Sequence, residues 1–86
     1  MNVEYSAMLQ QRLSSGQRAR LARRATSHIR RRLQDPDVPL PREPDDPSLI
    51  LVETLDRDIS LLALIRRDRS GRLTGKLVLC HPDELL

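Results

Sequence analysis

The sequence predicts an α+β domain in which an N-terminal helical hairpin packs on a small antiparallel sheet of two or three strands. Three observations predict it. Apolar residues recur at helical offsets through residues 1–34, five of the chain's six prolines fall within residues 35–48, and "RLTGKLVLC" near the end alternates residue by residue.

In "VEYSAMLQQRL", Tyr5, Met8, Leu9 and Leu13 fall on one side of a helix. Ser14 and Gln17 have capping-box spacing, in which the serine oxygen accepts an amide hydrogen bond and the glutamine returns one, so a second helix is predicted to start there. Gly16 then lies in its first turn, where it lowers helix propensity and permits close approach to the preceding helix. One long helix weakened at Ser14–Gly16 is the competing form. Along the second helix Ala22, Ala25, Ile29 and Leu33 form a narrow apolar stripe flanked by Leu21. Arg30, Arg31 and Arg32 complement the carbonyl end of the helix dipole, whereas Arg18 in the first turn opposes it.

"DPDVPLPREPDDPS" follows. Its prolines remove five amide donors and fix five φ angles, which excludes regular helix and inner strand and predicts a stiff, extended surface connector. Beyond it, Leu73, Gly75, Leu77 and Leu79 face one way while Thr74, Lys76, Val78 and Cys80 face the other, and Asp68–Gly71 supplies turn chemistry before them. Residues 56–67 fit either a strand or a helix capped by Asp56. The strand is the form adopted, giving three antiparallel strands with aliphatic residues on both faces. Gly75 marks a bulge or a close backbone approach. The chain thus divides into a basic helical hairpin (1–34), an acidic proline-rich connector (35–48) and an aliphatic sheet unit (49–86), all within one small domain.

With 86 residues, one tyrosine and neither tryptophan nor phenylalanine, the core is thin for a lone chain, and a homodimer is one expected source of further burial. One cysteine excludes an intramolecular disulfide and a cysteine-rich zinc site. No run approaches the ~20 apolar residues of a membrane span, and the start lacks the basic-then-apolar order of a secretion signal. The expectation is a soluble, cytoplasmic protein without membrane attachment.

Charge is distributed unevenly. Residues 1–34 hold eight arginines against Glu4, residues 35–48 hold five acids against Arg42, and the remainder balances six against six. Between Ser14 and Gln34 there are seven arginines and no acid. Guanidinium groups offer forked donors to phosphate or carboxylate, so Arg18, Arg20, Arg23, Arg24, Arg30 and Arg31, with Ser27 as a neutral donor, are the candidate contact residues. With no aromatic platform for stacking bases, duplex phosphate contact fits better than single-strand recognition. The expected function is a non-enzymatic regulatory or accessory protein that binds nucleic acid, duplex DNA in particular. The alternative is an adaptor or inhibitor that sets the same helix against an acidic protein surface. The connector's acids are also placed to fold back over the arginines.

Catalytic and metal chemistry find little support. Cys80 and His81 are adjacent but would face opposite ways on a strand, and no third orienting group is indicated. His28 and His81 are far apart in sequence, and "SGRLTGK" lacks the spacing of a phosphate-binding loop. No cofactor, metal or catalytic residue is predicted.

Overall fold

The computed structural model describes residues 1–85. In chain order it contains strand β1 (Asn2–Tyr5), a short helix α1 (Ala7–Arg12), a long helix α2 (Ser15–Leu33), strands β2 (Leu49–Asp56), β3 (Ile59–Arg67) and β4 (Leu73–Cys80), and a closing 3-10 turn (Pro82–Leu85). The strands form one mixed sheet in the order β1-β4-β3-β2. The α+β expectation stands, but its two parts need correction.

The first correction concerns the start of the chain. Residues 2–5 are not the first turn of a helix; they form a strand parallel to β4, with Val3 opposite Leu77 and Tyr5 opposite Leu79. Tyr5 and Leu9 sit at a helical offset, yet Val3 and Tyr5 also alternate as a strand requires, and four residues are too few for periodicity to choose. The edge of β4 chooses instead. Ser6 then caps α1 through its hydroxyl, which accepts from the Leu9 amide at 3.3 Å. Helix α1 has only six residues and contacts β1 and β4, so no helical hairpin forms.

The second correction concerns the sheet, which has four strands and mixed pairing instead of two or three antiparallel ones. The predicted antiparallel part is present: β2 pairs with β3 and β3 with β4. Residues 59–67 are strand, and the turn before β4 is held by Asp68, whose Oδ1 accepts from the Ser70 amide and hydroxyl and from the Arg72 amide. Gly71 adopts φ +85° in that turn, a conformation that glycine enters without the steric cost a Cβ would add. The irregularity in the sheet lies at Thr54/Asp56. Gly75 instead serves close approach, since a Cβ there would stand 3.0 Å from Ile65 Cδ1 and Met1 Sδ. Gly16 has no neighbour that would meet a Cβ, so it does not bring α1 and α2 together.

Helix α2 starts where the capping box places it. Ser14 Oγ accepts from the Gln17 amide at 3.2 Å, and Gln17 Oε1 accepts from the Ser14 amide at 2.8 Å. Its buried residues Leu21, Ala25 and Ile29 lie against one face of the sheet, where Leu61, Ala63, Ile65, Leu77 and Leu79 are fully enclosed. This is one core shared by helix and sheet. The opposite sheet face is open to solvent at Ile50 and Val52, which are 60% and 59% exposed, with Leu62, Leu64 and Val78 half-buried beside them. The connector runs between α2 and β2 and is fastened to the sheet where Arg67 Nε donates to the Pro41 carbonyl at 3.1 Å.

Candidate nucleic-acid interface

Burial of Leu21, Ala25 and Ile29 decides where the arginines of α2 point. At 3.6 residues per turn, Arg20, Arg23, Arg24, Ser27, Arg30 and Arg31 fall within a sector of about 120° opposite that stripe, and Arg20 to Arg31 spans about 16 Å of helix axis. All six are exposed. Arg23, Arg24, Ser27, His28 and Arg31 line a recess of about 380 Å³ against Leu55 of β2. Arg23 and Ser27 also border a second recess with Arg30, and Arg20 and Arg24 border a third beside Asp56.

The predicted contact residues do not all remain free. Arg24 forms an ion pair with Asp56 at 3.3 Å and donates to the Leu55 carbonyl at 2.9 Å. Arg18 is half-buried and turned toward α1, where it donates to the Gln10 carbonyl at 3.3 Å while its own carbonyl accepts from the Tyr5 hydroxyl. Burial raises the Tyr5 pKa, opposed by the nearby Arg18 charge, so this donor stays protonated at neutral pH. Arg18 is thus a packing residue. Arg20, Arg23, Arg30 and Arg31 have no ion pair or side-chain hydrogen bond among the described residues.

Sequence reasoning missed the acid on β2 that pairs with the sheet-facing edge of the helix. Arg32 is held between Glu53 of β2 and Asp35, and His28 Nε2 lies 3.9 Å from Glu53 Oε2. Glu53 sits on the helix-facing side of β2 with Leu51 and Leu55; a carboxylate in an apolar row was the available sign of a cationic partner above it. The connector does not cover the arginines. Asp35 reaches Arg32, but Glu43, Asp45 and Asp46 form no ion pair with α2 among the described residues, and Asp46 Oδ2 accepts from the Arg42 and Glu43 amides. Those two amides hold its carboxyl below the usual range.

Elsewhere, the Cys80 thiol is buried, directed at the Ser60 carbonyl and pushed up in pKa by desolvation, the opposite of an activated nucleophile. His81 lies 3.5 Å from Asp83 and 3.9 Å from Asp58. Among the described residues no three His, Cys, Asp or Glu side chains converge as metal ligands, and no helix is long and apolar enough to cross a membrane. Comparison of the chain with protein-family models, with curated proteins and with solved structures finds no match in any of the three.

Proposed function

We propose that this chain is a non-enzymatic accessory or regulatory protein that binds duplex DNA by laying the outward face of α2 along the phosphate backbone. One observation carries the reading: Arg20, Arg23, Arg30 and Arg31 project together from a helix whose opposite stripe is locked in the core, without acid partners among the described residues. The helix backbone under this row is already fixed, so binding phosphates has only to order the arginine side chains, at about 0.5–1.5 kcal/mol each. It supplies affinity and steering, not base readout, so binding is tolerant of sequence and steeply dependent on salt. Ser27 adds a neutral donor, and Arg24 joins once it exchanges Asp56 for phosphate.

The test is a titration of random-sequence duplex, single strand and heparin at low salt. Duplex binding stronger than single-strand binding, and weakened by Arg23→Gln and Arg31→Gln together, is the expected result. Equal binding of heparin and duplex would reduce the reading to a general polyanion surface, and no duplex binding at low salt would end it.

A further inference from the structure

We infer that the outer edge of β2 is a receptor for an extended acidic segment of another protein, which adds to the sheet as a fifth strand. Strand β2 closes the sheet order on one side and has eight residues. In an antiparallel pair, alternate residues turn their amide and carbonyl away from the partner, so an edge strand of this length offers a row of unused hydrogen-bonding groups. Such edges are commonly blunted by lysine, proline or a covering element. The sequence of β2, "LILVETLD", has neither lysine nor proline; its bulge at Thr54/Asp56 and its inward Glu53 protect the C-terminal end and leave Leu49–Val52 the most open stretch. The Leu55 carbonyl already accepts from Arg24, so the usable edge is Leu49–Thr54. The opposite edge strand, β1, is only four residues long.

The two sides of an added strand would meet different chemistry. On the open face lie Ile50 and Val52, the most exposed large apolar residues of the sheet, and Leu62 stands directly across from Val52. On the helix side, at the Leu55 end just beyond the usable edge, Arg23, His28 and Arg31 line a recess with Arg24, which is already paired to Asp56. A segment that alternates aliphatic and acidic residues satisfies both at once, because successive strand side chains point to opposite faces.

A second copy of this chain fits less well. Two β2 strands paired antiparallel about a two-fold axis would place both basic α2 helices on the same side of the extended sheet, with no acidic strand offered to either. The only acid β2 brings to the helix-facing side inside the usable edge is Glu53, already bound to Arg32. The chain's own acidic connector is excluded by its prolines, which cannot donate to a ladder.

The probe is a fluorescein-labelled octapeptide, Glu-Val-Glu-Ile-Glu-Val-Glu-Thr, compared with the same residues reordered so that the acids are contiguous. The alternating peptide is expected to bind about tenfold more tightly or better, and Val52→Lys and Arg31→Glu are each expected to weaken it about tenfold. Ile50→Lys serves as a second edge variant should Val52→Lys not fold. Amide hydrogen exchange should slow at Ile50–Thr54 when the peptide binds. Equal affinity for the two peptides, protection confined to α2, or no binding at millimolar peptide would overturn the inference. So would a dimer of the free chain that Val52→Lys converts to monomer, since the occupant would then be a second copy. Binding of random-sequence duplex is measured in parallel and should be left within twofold by Ile50→Lys, which separates the apolar edge from the arginine row that the two surfaces share.

Discussion

Replacing Arg23 and Arg31 by glutamine removes two of the four α2 arginines that have neither an ion pair nor a side-chain hydrogen bond among the described residues, and both are exposed, so the fold should persist. Each phosphate neutralised contributes about −0.9 to the slope of log affinity against log salt on duplex DNA. Four contacts therefore give a slope of about −3.6, which is a loss of about 150-fold between about 50 and 200 mM salt. The double variant should show about −1.8 and a loss of only about 12-fold over the same range. Asp56→Asn moves the other way: it releases Arg24 from its ion pair, and a fifth contact steepens the slope to about −4.5. Fluorescence anisotropy with a labelled random-sequence duplex measures all three. A slope that is the same in the wild type and the Arg23/Arg31 variant would refute the assignment and direct attention to the basic residues around the β3–β4 turn, Arg66, Arg69 and Arg72.

Further predictions concern the scaffold and pH. Ile29→Ala leaves a void where α2 meets the sheet and should cost about 2–5 kcal/mol in urea unfolding; a cost below about 1 kcal/mol would mean the helix is not anchored there. Ser14→Ala removes one half of the capping box and should cost about 1 kcal/mol, with the loss seen as faster amide exchange in the first turn of α2. The carboxyls of Asp68 and Glu84 are held below the usual range, Asp68 first by the Ser70 hydroxyl and then the Arg72 amide, Glu84 first by the His81 amide and then the Ser6 hydroxyl. A folded pKa below the unfolded one stabilises the fold above the unfolded value, near pH 4, and the contribution is lost as pH falls through the depressed values. The urea midpoint should therefore drop on acidification below about pH 4, and less so in an Asp68→Asn, Glu84→Gln variant; an identical decline in both would contradict this.

Which parts of this molecule were legible in its sequence follows from which forces are local. The capping box of α2 involves residues three apart and could be read directly; the stripe read as Ala22, Ala25, Ile29 and Leu33 is rotated in the structure toward Leu21, with Leu21, Ala25 and Ile29 buried and Ala22 and Leu33 half-buried. The strand at 73–80 and the turn at Asp68–Gly71 were equally local. Strand β1 was not, because only pairing with β4, at the far end of the chain, selects extended backbone for Asn2–Tyr5. The same distinction runs through the arginine row. Helical spacing placed Arg20, Arg23, Arg30 and Arg31 outward, but the loss of Arg18 to the Gln10 carbonyl, and the pairing of Arg24 with Asp56 and of Arg32 with Glu53, depend on how helix and sheet are superposed. That superposition is written in no single segment.

The parallel register of Val3 with Leu77 joins residues 74 positions apart in the sequence. On a ribosome, α2 would emerge well before β3 and β4, and the surfaces that are to receive Leu21, Ala25 and Ile29 would not yet exist. The sheet therefore cannot close until β4 is free to pair with both β1 and β3, although the β2–β3 hairpin is local in sequence. A product truncated before Leu73 would display greasy helix and unpaired backbone together, and should be captured by chaperones or degraded instead of persisting as a smaller folded unit.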